Sequence, residues 1–332
     1  LRGATLCALA FGITACGGGG GEKGGAAGAK KVPTIAVIPK GTTHEFWKSV
    51  HAGAVKASKE LDVDVVWKGP LKEDDLKAQI DGVQSFTAQG VSGIVLAPLN
   101  DKALGGAVKG AVGASIPVVV FDSDLQGKDH LSFVATDNVA AGRLAGEHLS
   151  KLLGGKGKVM LLRYQEGSAS TQHREEGFLA GIAAHPGVEV VSKNQYGGAT
   201  TESAFAASEN VLLAQKAAEG GVDGVFCPNE STTFGMLLAL RKASLAGKIK
   251  AVGFDSSEKL LQGLREGHLH GLVLQDPLNI GYLAVKTMAA HLKGQKVEPR
   301  IDTGARLVTA DKLEDPAIKE LVSPDLKRWL GE

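Results

Sequence analysis

Cysteine and aromatic residues are scarce in this 332-residue chain: three cysteines, and 5% Phe, Trp and Tyr together. Cys7 and Cys16 fall in an N-terminal segment of their own, which leaves Cys227 alone in the body of the chain. No internal disulfide framework is possible there. Cys227 closes an apolar run and reads as a small core residue rather than a nucleophile. Charge of one sign is also lacking: 37 Lys and Arg stand against 36 Asp and Glu, a net charge of +1. That balance gives no electrostatic case for a nucleic-acid partner. Past the N-terminal segment no stretch stays apolar for the ~18 residues a membrane span needs.

Several chemical motifs are missing as well. Residues 154–157 (GGKG) precede a strand instead of following one, so they form a turn and not a phosphate loop. Residues 167–170 (GSAS) are no nucleophile elbow. The run from Asp122 to Gly127 begins like a calcium loop, but Gln126 and Phe133 occupy positions where that loop needs ligands. His268 and His270 share a strand face without a third ligand. We therefore expect no metal and no cofactor.

What the chain does have is a duplication. Residues 117–123 (PVVVFDS) are echoed by 250–256 (KAVGFDS), and upstream 93–98 (GIVLAP) is echoed by 224–228 (GVFCP). Each copy is a short apolar run that stops at Phe-Asp-Ser and reads as a buried strand with an acid at its carboxyl end. Open α/β sheets bind ligands at such ends. The repeat is too long for a solenoid, so two similar α/β lobes are expected.

Alternating apolar runs and amphipathic stretches support this. Strands are expected at 34–38, 63–67, 93–97, 117–121, 131–135, 158–163, 188–191, 224–227, 251–254 and 271–274, and one more within 300–308 before a polar tail. Helices are expected between them, at about 139–153, 172–185, 202–218, 232–246 and 278–292 among others. In the first helix Phe46, Val50, Ala54, Ala57 and Leu61 recur at helical spacing and mark its buried face. The fold class is α/β, two doubly wound parallel-sheet lobes.

The first sixteen residues are a separate object. Arg2 is followed by an apolar stretch, 6–13, too short to span a bilayer, and then by Thr14, Ala15 and Cys16. This resembles a bacterial lipobox, in which Cys16 is lipidated. Residues 17–31, opening on five glycines, form a flexible tether. The chain opens on Leu1 rather than Met, so either the start is non-standard or a few residues precede it.

A lipobox, a tether and two lobes with matched Phe-Asp-Ser ends are together similar to the ABC-transporter solute-binding proteins of the ribose-binding type, the type 1 periplasmic binding proteins. The likeness runs from about Thr34 to Val308 and rests on 34–40 (TIAVIPK), 45–47 (EFW), 135–138 (ATDN), 174–178 (REEGF), Pro228 with Asn229, 253–255 (GFD) and Gln275. The resemblance implies lobes of 32–136 plus 276–302 and 137–275 plus 303–332, crossing near 136, 275 and 302 through a three-segment hinge. It implies a monosaccharide ligand. It also implies delivery to a membrane permease, a lipid anchor at Cys16 facing the periplasm or outer surface, a monomer, and no enzymatic activity.

By the same resemblance, Lys40 and His44 reach sugar hydroxyls and Phe46 and Trp47 flank the ring. Asp122 and Asp255 accept hydroxyl protons, and Asn229 and Gln275 complete the contacts. Three positions depart from the ribose pattern: Ser123 and Gln172 stand where ribose binders offer Arg, and Ala97 where they are polar. Ser123 and Gln172 are carried into the expected ligand set, Arg174 reads as structural, and the missing arginines point away from ribose. Chemically the set suits a sugar, whose hydroxyls donate and accept while its C–H faces stack on aromatic rings. A LacI-like regulator shares the fold but requires an N-terminal helix-turn-helix, where this chain has the lipobox. A sensory role, presenting the sugar to a chemoreceptor or quorum-signal system, is the alternative reading.

Overall fold

The computed structural model describes residues 32–331; the lipobox with Cys16 and the glycine tether lie outside them. The first lobe runs β1 (Thr34–Ile38), α1 (Glu45–Leu61), β2 (Asp64–Trp67), α2 (Leu76–Gln89), β3 (Gly93–Leu96), α3 (Gly105–Gly113), β4 (Val118–Phe121) and β5 (Ser132–Ala135). The second runs α4 (Asn138–Leu152), β6 (Lys156–Arg163), α5 (Ala169–Ala183), β7 (Gly187–Tyr196), α6 (Thr201–Ala214), β8 (Gly224–Phe226), α7 (Glu230–Lys242), β9 (Lys250–Phe254), α8 (Glu258–Arg265) and β10 (Gly271–Leu274). The chain then returns through α9 (Pro277–Leu292) and β11 (Arg300–Asp302) to the first sheet, and through β12 (Arg306–Val308), α10 (Pro316–Val322) and α11 (Leu326–Leu330) to the second lobe and beyond.

Each sheet has six strands, ordered β11-β5-β4-β3-β1-β2 and β12-β10-β9-β8-β6-β7. All neighbours in the first are parallel, and in the second only β12 runs antiparallel, against β10. The duplication is therefore topological: β4 and β9, the two strands ending in Phe-Asp-Ser, hold equivalent places. In both sheets the order reverses at the first strand, β1 or β6, and a crevice opens there at the strand ends. Strands β3, β4 and β10 are buried at every residue, as strands covered by helices on both faces must be.

Helix α1 buries Phe46, Val50, Ala54 and Ala57 of the stripe legible from spacing, and Trp47 beside them, against the first sheet and α9, while Leu61 is only partly buried there. Two helix pairs approach unusually closely. A Cβ on Gly53 would lie 1.9 Å from the Leu278 carbonyl oxygen, and one on Gly142 would lie 2.0 Å from that of Arg174, so α1 meets α9 and α4 meets α5 backbone to backbone.

Two features differ from the sequence reading. The segment 300–308 is not one strand but two three-residue strands in different sheets, parted by Gly304 at φ +73°. The Arg300 guanidinium fixes this crossing by donating to the carbonyls of Ala135 and Thr136, the first crossing point. The polar tail forms α10 and α11, each capped by an aspartate, Asp315 and Asp325, accepting from a backbone N–H. Short helices of this kind carry too few apolar residues to show a periodicity. Cys227 is buried and free, with its thiol pushed well up by burial, as a core residue should be.

Candidate functional site

Asp122 and Asp255 both adopt left-handed backbone conformations, at φ 60° and 67°. Such conformations cost an L-residue energy, are most tolerable for Asp and Asn, and cluster at functional sites. Here the turn follows directly on β4 and β9 and directs both carboxylates into one cavity between the lobes, where each is nearly inaccessible at 3% and 6% exposed.

Around that cavity, cations from both lobes meet the acids. Lys40, just past β1, has its Nζ 3.5 Å from Asp122 Oδ2 and donates to Ser168 Oγ and Ser170 Oγ of the second lobe at 3.1 and 3.0 Å. Arg174, on α5, has Nη1 3.9 Å from Asp255 Oδ2. Its other bonds run to Asn138 Oδ1 and the Pro228 carbonyl, and the guanidinium lies 3.9 Å over the Phe254 ring. Burial acts first on all four groups, raising Asp122 and Asp255 and lowering Lys40 and Arg174, with the opposite charges resisting it.

A second cluster surrounds Glu73, in the loop between β2 and α2. His44 Nδ1 stands 2.6 Å from Glu73 Oε1, Trp47 Nε1 donates to the same oxygen at 2.8 Å, and the Tyr164 hydroxyl donates to Oε2 at 2.8 Å. Burial disfavours both charges, but the mutual bond and attraction prevail, holding His44 at about 9 and Glu73 at about 2. Glu230, at the start of α7, accepts from the Phe46 N–H at 3.3 Å across the lobes, and burial pushes its carboxyl up to about 7. Phe46 and Trp47 meet edge to face with ring centroids 4.9 Å apart.

The structure brings Lys40, His44, Phe46, Trp47, Asp122, Asn229, Asp255 and Gln275 together in the cavity wall. Asn229 also caps α7, its Oδ1 accepting from the Thr232 N–H. Two expected residues stand elsewhere. Ser123 lies outside the wall, where its Oγ accepts from the Ser170 N–H and joins the lobes. Gln172 is not in the wall either, whereas Arg174 is, with its guanidinium bonded to protein groups. One turn register on α5 explains this: Arg174 faces Asp255 while Gln172 is rotated away.

Sequence reasoning missed Glu73, Tyr164, Ser170, Thr171 and Glu230 in the wall. Tyr164 was findable from the duplication, since β6 is the counterpart of β1 and Tyr164 follows it as Lys40 follows β1. Glu73 carries no pattern, being one acid in a polar loop. The enclosed space measures about 30 Å³, room for a water or two. Gln275 Nε2 donates to Asp255 Oδ1 at 2.7 Å, while its Oε1 is buried with no protein donor.

Residues 35–296 match the periplasmic binding protein domain. The ribose import binding protein of Salmonella typhimurium is 30% identical over 286 residues, covering 85% of this chain and 92% of its own. A carbohydrate transporter solute binding protein from Agrobacterium radiobacter, solved with D-arabinose, superposes with a TM-score of 0.84 at 34% identity over 89% of this chain and 100% of that one. An ABC transporter solute binding protein from Agrobacterium vitis with bound D-fucose gives 0.82 at 34% identity over 87% and 99%. Each of these relatives is a binding protein. With the domain matched over most of this chain and two α/β lobes lining a polar cavity, this chain belongs to the periplasmic binding protein family, as a ribose-type sugar-binding member and not an enzyme.

Proposed function

We propose that the protein captures a monosaccharide between its lobes outside the cytoplasm and delivers it to the permease of an ABC importer. The observation that carries this is the convergence of both strand-end acids, one from each lobe, on a cavity where Gln275 Oε1 is buried without a donor. A hydroxyl supplies what that acceptor needs, and a second hydroxyl can bridge to either aspartate. Lys40, His44 and Arg174 offer donors for ring and hydroxyl oxygens, and Phe46 with Trp47 an apolar face. Asp122, Asp255 and Gln275 are the ligand acceptors in this reading.

Charge-assisted hydrogen bonds contribute roughly 1.5–3 kcal/mol each. Six such bonds exceed the ~8 kcal/mol of a micromolar complex, so lobe ordering and desolvation must offset the excess. Ligand sites usually measure roughly 300–1,000 Å³ for drug-sized molecules. The space here, about 30 Å³, is too small for a sugar ring as it stands, so the walls must part to admit one. The sugars bound by the two structural neighbours, D-arabinose and D-fucose, both lack a 6-hydroxyl. We place pentoses and 6-deoxyhexoses first among the ligands. The lobe boundaries near 136, 275 and 302, the Cys16 anchor and the monomeric state complete the proposal.

Thermal-shift screening of the domain from Lys31 against pentoses, hexoses, deoxysugars and polyols tests it. A sugar should raise the melting temperature; an amino acid or purine doing so while no sugar does would refute the reading. Palmitate labelling should vanish in Cys16→Ala.

A further inference from the structure

Glu73 is bonded almost entirely to protein. Its Oε1 takes Trp47 Nε1 and His44 Nδ1, and its Oε2 takes the Tyr164 hydroxyl. The Glu73 backbone carbonyl also accepts from Gln165 Nε2 at 2.8 Å. An ionised carboxylate offers about four acceptor sites, and three donors leave little for a ligand. That separates Glu73 from Gln275, whose buried Oε1 has no donor.

The donors come from both sides of the cleft. His44 and Trp47 belong to the first lobe, with Glu73, whereas Tyr164 and Gln165 follow β6 in the second. Tyr164 is fully buried, at 0% exposure, and its hydroxyl reaches a carboxylate on the other lobe. Parting the lobes would break both cross-lobe bonds and leave the ring at the cleft surface.

We propose that Glu73 is a positioning residue and an interlobe latch: it orients His44 and Trp47 within the first lobe and captures Tyr164 and Gln165 of the second on closure. The Tyr164 bond contains no ligand atom, so it sets how long the lobes stay closed without choosing among sugars. Selectivity stays with Asp122, Asp255, Arg174 and Gln275. The effect on sugar release rests on the function proposed above; the effect on the ligand-free protein does not.

Tyr164→Phe keeps the ring and deletes one bond. Hydrogen–deuterium exchange and small-angle X-ray scattering of the ligand-free protein should show faster exchange at residues 71–76 and 163–166 and a more open envelope than wild type. Stopped-flow release of each sugar that binds should accelerate about tenfold, by a similar factor for all, as loss of a charge-assisted bond implies. Adding Tyr164→Phe to Glu73→Ala should change little further, because the hydroxyl's acceptor is already gone. Unchanged exchange and scattering in Tyr164→Phe, or fully additive effects of the two substitutions, would overturn the latch. Failure of every sugar to bind would overturn the proposed function instead, and the ligand-free measurements would still decide the latch.

Discussion

Gly142→Ala probes how far the site depends on helix packing behind it. The added Cβ would stand 2.0 Å from the Arg174 carbonyl oxygen and 2.7 Å from its carbonyl carbon. Both are backbone atoms of α5 and cannot rotate away, so α5 must retreat by roughly 1.4 Å to restore the 3.4 Å of ordinary contact. Alanine gains about 1 kcal/mol of helix propensity over glycine, while overpacking a filled interface costs typically about 1–3 kcal/mol and here falls at the upper end. The net expectation is a loss of about 1–2 kcal/mol. Arg174 travels with α5, and its guanidinium already stands 3.9 Å from Asp255, so ligand affinity should fall about tenfold as well.

Urea denaturation and calorimetric titration with the sugar found by screening measure the two effects. Gly82→Ala is the control, since a Cβ there meets nothing within 4 Å and should add up to about 1 kcal/mol of stability with affinity unchanged. If Gly142→Ala matched Gly82→Ala in both measurements, the link from helix packing to the site would be refuted.

Three further outcomes are expected. Asp255→Ala leaves Arg174 buried without its nearest carboxylate and Gln275 Nε2 without its acceptor, so denaturation should show a loss of about 3–5 kcal/mol. Because His44 is raised to about 9, its contribution is full below pH 6.5 and lost as pH rises through 9; Glu73, lowered to about 2, contributes fully above pH 4.5 and loses it as pH falls through 2. The stability difference between wild type and His44→Asn should therefore be greatest between pH 4.5 and 6.5, and a difference that grows toward pH 9 would contradict the pairing. Trp329→Ala removes the ring that lies 5.9 Å from Lys56 Nζ, 5.8 Å from Lys59 Nζ and 4.7 Å from the Arg328 guanidinium; it should cost about 1 kcal/mol and speed amide exchange in α11.

The lobes were legible because buried parallel strands are uniform apolar runs, and because duplication placed the same Phe-Asp-Ser stop at β4 and β9. Residues adjoining those strands followed: Asp122, Asp255, Lys40 and Gln275 all sit where a strand ends. Legibility failed where position depends on rotation about a helix or on a loop. Gln172 and Arg174 differ by two residues on α5, a rotation of about 200°, and no spacing argument near a helix start chooses between them. Glu73 reaches the cavity through the path of the 68–75 loop, which local sequence does not encode. The two strands within 300–308 escaped because three-residue strands show no alternation, and only the Gly304 turn hints at the break.

The central claim is that one sugar is held by both lobes at once. Calorimetric titration of Asp122→Asn and Asp255→Asn, taken singly, with the sugar that stabilises wild type tests it most directly. Each substitution keeps size and removes one lobe's charged acceptor, so each should weaken binding at least tenfold. Wild-type affinity in either variant would place the sugar on a single lobe and contradict the account.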